Sequence, residues 1–182
     1  MVGSPWRFYS NGRGTFLVTA DAVDGAAAAL VEMDAVGGNV QLYQSGLTLE
    51  PHTHYQLRFD AKSSRGQDMR LYVHKHGAPY TNYGVRGAVV DLTSAYQSFV
   101  WEFTTGRFDT PVDDGRLRFW FAPYARAGDS YTIDNVVLRK VGATATSAAS
   151  NVTLVDDEAD LLAGGDVGEE NAVEIFLPVV TR

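Results

Sequence analysis

Residues 115–122 read GRLRFWFA, and the run alternates with a period of two. Neighbours on a β-strand point to opposite faces, so this pattern predicts a strand with Leu117, Phe119 and Phe121 turned inward. Arg118 and Trp120 are then forced outward. The same period recurs at residues 39–44 (NVQLYQ), 54–62 (HYQLRFDAK), 69–76 (MRLYVHKH), 98–105 (SFVWEFTT) and 130–140 (SYTIDNVVLRK), and each reads as a strand. Turn signals separate them at Val36-Gly37-Gly38, Ser63-Ser64-Arg65-Gly66, Asp113-Asp114-Gly115 and Ala127-Gly128-Asp129. The alanine run GAAAAL, residues 25–30, stands where a strand is due and is read as one. Many short strands, regular turns and no amphipathic helix predict an all-β fold, an antiparallel β-sandwich of the jelly-roll kind.

The chain of 182 residues is 45% hydrophobic and 12% aromatic, enough for one sizeable core. It has no cysteine, which excludes disulfides, thiol nucleophiles and cysteine metal sites. No signal-peptide pattern and no apolar run of membrane-spanning length are found, so the segment reads as soluble, without membrane association. The net charge of −7 is unevenly placed: beyond Gly142 stand eight of the 22 acids and only Arg182 of the 15 bases. The first 142 residues therefore balance, and nucleic acid is not an expected partner. Composition divides the chain into a domain over residues 1–142, a linker and acidic low-complexity segment over 143–172, and a short apolar segment over 173–182. That last segment reads either as a short strand or as the start of a further unit, and the flexible acidic tail as dispensable for folding.

The outward sets carry the chemistry. Alternation leaves Asn39, Gln41 and Tyr43 outside in one strand, Arg70, Tyr72 and His74 in a second, Arg118 and Trp120 in a third. A solvated face is normally Lys, Glu, Ser and Thr. A pyranose ring, by contrast, has apolar C–H faces and a rim of hydroxyls, which want an aromatic plane beneath and amides or guanidinium beside. Tyr80 and Tyr83, in residues 74–84 (HKHGAPYTNYG), read as loop aromatics at the rim of such a site. The candidate carbohydrate-binding residues are thus Gln41, Tyr43, His74, Arg118 and Trp120 on the face, with Tyr80 and Tyr83 beside it.

Four stretches, NVQLYQSGLTLEPHTHYQLRFDAKSS, YTNYG, LTSAYQSFVWEFTT and RLRFWFAPYARAGDSYTIDNVVL, resemble the carbohydrate-binding modules of families 4, 9, 16 and 22 over roughly residues 1–141. The resemblance implies a jelly roll with no catalysis of its own, which binds β-glucan, xylan or related chains in a cleft on one sheet. It further implies an extracellular module appended to, or partnered with, a glycoside hydrolase; the chain is also expected to be monomeric. By the same resemblance the cleft residues correspond to Gln41, to Tyr80 or Tyr83, and to Trp120. Gly38 stands where some relatives place a stacking aromatic. A structural calcium is implied at Asp134 of YTIDNVVL, with Asp24 as a second candidate ligand; the N-terminal glutamate that usually joins them is missing from the sequence.

Other readings compete for particular residues. Trp6 reads as a plug at the end of the sandwich. His52 with His54, and His74 with His76, have a spacing that permits metal ligation, but no third ligand accompanies them. Asp60 and Glu102 lie in strands and could in principle form the acid pair of a glycosidase, although Asp60 beside Arg58 is more simply an ion pair. Asn151-Val-Thr153 is a sequon only in a host that glycosylates. The functional classes in play are a binding module, a jelly-roll lyase or glycosidase, and an adhesion domain without sugar binding.

Overall fold

A computed structural model describes residues 6–36 and 38–141 together with the strand Val173–Ile175. Its strands are β1 (Trp6–Tyr9), β2 (Gly14–Thr19), β3 (Ala28–Met33), β4 (Gln41–Leu49), β5 (His54–Ser63), β6 (Met69–Lys75), β7 (Asn82–Val90), β8 (Gln97–Thr104), β9 (Val112–Trp120), β10 (Ser130–Lys140) and β11 (Val173–Ile175). They form two antiparallel sheets, one ordered β11-β1-β4-β9-β6-β7 and the other β2-β3-β10-β5-β8. No helix occurs among the described residues, and the all-β sandwich is as the alternation predicts.

The core lies between the sheets. Leu42, Leu71, Val73, Leu117 and Phe119 enter it from the first, and Leu57, Phe59, Ala61, Tyr131 and Ile133 from the second. Phe59 meets Phe119 edge-on across the gap, 5.0 Å between ring centroids, the arrangement ring quadrupoles favour. The alanine run does supply strand β3, with Ala29 in the core. Trp6 is buried and stacks on Phe119, a packing role.

Two expectations fail for one reason. Asp113-Asp114-Gly115 is not a turn but part of β9. A Cβ at Gly115 would lie 2.8 Å from the Leu47 carbonyl oxygen and 3.0 Å from Leu49 Cδ1, so the glycine marks a close strand approach. Likewise Tyr83 belongs to β7 rather than to a loop. Alternation then turns it inward with Val85, and it joins the core. Its hydroxyl donates to Asp114 Oδ1 at 2.9 Å, its ring packs edge-on against Phe108, and Gly84 beside it lies tight against Phe103.

The apolar C-terminal segment contributes β11, which pairs with β1 in the register Trp6↔Ile175 and Phe8↔Val173. The linker, the acidic stretch and Asn151 lie outside the described residues.

Candidate functional site

The outer face of the first sheet is built in rows, because register fixes which side chains stand side by side across strands. One row runs Tyr9, Gln41, Trp120, Arg70 over β1, β4, β9 and β6. The next runs Arg7, Tyr43, Arg118, Tyr72, and a third Ser45, Arg116, His74. Gln41, Tyr43, His74, Arg118 and Trp120 therefore share one face of three adjacent strands, as alternation predicts.

These side chains are not the solvated set that an outer face suggests. Gln41, Tyr43, Tyr72, His74, Arg116 and Arg118 are each only 1% exposed, and Trp120 is 3% exposed. They stack on one another. The Arg116 guanidinium lies 3.7 Å from the Tyr43 ring centroid, and Arg118 stands 4.7 Å from Trp120 and 5.1 Å from Tyr72, within cation–π range. Tyr72 meets Trp120, Tyr43 meets His76, and His74 meets both Tyr72 and Tyr80. Tyr80, half-buried with a left-handed backbone (φ 56°), thus reaches this face from its loop, whereas Tyr83 does not.

Hydrogen bonding on this face is unfinished. Gln41 accepts from Arg116 Nη2 at 2.7 Å and donates to Asn39 Oδ1 at 2.8 Å. Tyr72 OH, His74 Nε2, Trp120 Nε1 and Arg118 Nε and Nη2 are buried without a partner. Buried polar atoms are ordinarily satisfied, so this orphan set gathers unmet hydrogen-bonding capacity on one face. Burial, helped by the cations Arg116 and Arg118, lowers the His74 pKa to about 3, and its Nδ1–H donates to the Lys75 carbonyl at 2.6 Å. The ring is therefore neutral at pH 7 and Nε2 is an acceptor. Burial also lowers Arg118 to about 9, with Arg116 adding to the effect; it is still a cation at neutral pH. Tyr72 is raised by burial, and the nearby Arg118, Arg70 and Arg86 work against that shift.

The other sheet's outer face is of the ordinary ionic kind. Gln56 joins Glu102 at 2.9 Å and Arg139 at 2.6 Å, and Lys62 pairs with Asp21. Asp60 is held by Ser98 Oγ and Asn135 Nδ2 rather than by Arg58. Gln56 is the partner of Glu102 across β5 and β8, and Asp60 lies four residues further along β5. Those carboxylates are thus about 13 Å apart along the strand, beyond the spacing of either glycosidase geometry, and on the face opposite the cleft.

Asp134 lies against the turn that carries Asp24. Asp134 Oδ2 accepts the backbone N–H of Val23 at 2.7 Å and of Asp24 at 3.0 Å, and Oδ1 accepts that of Asn135 at 2.7 Å. The carboxylate thus caps a turn. Among the described residues no group of three or more His, Asp or Glu could hold a metal ion. His52 pairs with Asp109 and His54 with Glu102, at 3.5 and 3.4 Å.

Residues 2–126 match the family model of a carbohydrate binding domain, the type that joins families 4 and 9. The chain belongs to this family. Among solved structures, this carbohydrate-binding domain is similar to a family 4 module at 22% identity and TM-score 0.59, over 75% of this chain and 95% of that one. It is similar to the N-terminal cellulose-binding domain of β-1,4-glucanase C from Cellulomonas fimi at 23% identity and TM-score 0.56, over 76% and 90%. It is similar also to a Stig cyclase from Fischerella at 16% identity and TM-score 0.56, over 76% and 86%. At these identities the likeness is one of fold. No curated protein matches the sequence.

Further residues of this face, Arg70, Tyr72, Arg116 and Arg86 among them, were not among the sequence candidates. Tyr72 and Arg116 obey the alternation that exposed Arg118 and Trp120, so the signal was present. Arg86 lies on β7, whose two glycines masked it as a strand.

Proposed function

We propose that this domain is a non-catalytic binding module that holds β-linked polysaccharide, of the β-glucan or xylan type, on the outer face of β4, β9 and β6. In this reading it brings an attached or partner glycoside hydrolase to its polymer, outside the cell and as a monomer. The observation that carries it is Trp120. It sits mid-face between Gln41 and Arg70 in register, with its indole N–H unpartnered, while the opposite face of the sandwich is satisfied and ionic. An aromatic plane flanked by an amide and guanidinium suits a sugar ring and its hydroxyl rim. A few stacking planes and hydroxyl contacts support dissociation constants of about 1 mM to 1 μM.

Titration calorimetry with cello- and xylo-oligosaccharides, coupled to product analysis, tests this. Heat without products is expected, and loss of that heat in Trp120→Phe or Trp120→Ala variants that remain folded locates the cleft. Products would establish an enzyme instead. No heat with any oligosaccharide would leave an adhesion role. Excess chelator is expected to leave the melting temperature unchanged, since Asp134 serves as a turn cap; a fall of several degrees would restore the calcium.

A further inference from the structure

Arg118 carries a charge that a neutral glycan does not answer. It is buried, its Nε and Nη2 have no hydrogen-bond partner, and its neighbours are the rings of Trp120 and Tyr72 and the second cation Arg116. In the three rows across β1, β4, β9 and β6, alternation places no carboxylate; the second row continues to Glu174 of β11, in register with Arg7 and three strands away from Arg118. The nearest acid on β9 is Asp114 near the strand's start, and it is already engaged by the Tyr83 hydroxyl at 2.9 Å and by Lys75 at 3.8 Å. Hydroxyls can accept from a guanidinium, yet they leave a buried cation without counter-charge, a costly arrangement. A carboxylate supplies both. Nε–H and one Nη2–H project from the same edge of the guanidinium, as a side-on fork matched to two carboxylate oxygens.

We propose that the glycan this cleft takes is acidic: a β-linked chain carrying hexuronate residues, one of whose carboxylates seats on Nε–H and Nη2–H of Arg118. This rests on the reading of the face as a glycan cleft. The indole N–H of Trp120 and the hydroxyl of Tyr72 are further donors at the same place, and His74 Nε2 accepts from a ring hydroxyl.

The test is titration of the full chain with two matched pairs: β-1,4-glucuronan oligosaccharide against cello-oligosaccharide, and glucuronoxylan oligosaccharide against its carboxyl-reduced form. The acidic member of at least one pair is expected to bind about tenfold tighter or more. In Arg118→Met that preference should collapse to about one, and in Arg118→Lys, which keeps the charge without the fork, it should fall between the two. Near-UV circular dichroism checks that each variant is folded, and the wild-type pairs decide the matter even where a variant is not. Equal binding of acidic and neutral members overturns the uronate assignment and leaves the glycan cleft standing. Absence of binding by all four overturns both. Dextran sulfate binding as tightly as the uronates would show a general anion surface, and a preference that survives in Arg118→Met would remove Arg118 from the site.

Discussion

Arg118→Met is expected to make the domain more stable. Burial, with Arg116 beside it, lowers the Arg118 pKa from 12.5 to about 9, and that difference corresponds to roughly 5 kcal/mol against the charged form in the folded state. The sign follows from linkage: a base with a lowered folded pKa is protonated in both states at pH 7, so the whole penalty falls on the native state. Against this stand the contacts with Trp120 at 4.7 Å and Tyr72 at 5.1 Å, each worth about 0.5–2 kcal/mol. Methionine fills a similar volume and leaves no unpartnered N–H. The net expectation is a gain of about 1–4 kcal/mol, read as a higher urea midpoint at unchanged slope. A loss of more than about 1 kcal/mol would refute the reasoning, because the guanidinium would then be contributing to the fold rather than straining it.

Three further outcomes follow from the same geometry. His74 has a folded pKa lowered from 6.5 to about 3, so the unfolded chain takes up its proton first as pH falls below 6.5 and stability declines down to about pH 3. Between pH 7 and 5 this amounts to roughly 2 kcal/mol, and His74→Gln should lose that much less over the same interval in denaturant titrations. Gly115→Ala should cost about 1–3 kcal/mol or more in the same assay, because its new methyl meets the Leu47 carbonyl at 2.8 Å, a backbone atom that cannot rotate away. Truncation after Val141 removes β11 from β1 and should lower stability by about 1–3 kcal/mol through the lost ladder bonds, with a greater tendency to aggregate from the opened edge; an unchanged, monomeric product would show that β11 adds nothing.

The sandwich was legible because alternation is a local property of the chain. Leu117, Phe119 and Phe121 cannot be buried without presenting Arg118 and Trp120 to the other side, whatever the rest of the chain does. The strands that escaped were those whose glycines resemble turns: β7 with Gly84 and Gly87, and the start of β9 with Gly115. In each, the glycine answers a distant packing partner, Phe103 for Gly84 and Leu47 for Gly115, which no local pattern contains. Tyr83 was misplaced on that account. Direction was therefore readable at the cleft, but depth was not. That Tyr43 and Arg116, or Arg118 and Trp120, would shield one another depends on cross-strand register, and register is decided by pairings between segments far apart in sequence.

The pairing of β11 with β1 also bears on synthesis. Strand β1 of this domain leaves the ribosome well before β11, which it matches along one edge. At the usual elongation rate of about 5–20 residues per second, β1 and β4 can pair while β11 is still on the order of ten seconds from existing. Throughout that interval the Trp6–Tyr9 edge is a free template for any extended chain nearby. Nascent copies on one message are the nearest such chains, so spacing between ribosomes becomes a determinant of yield for this domain, and slowing initiation should raise the soluble fraction more than slowing elongation does.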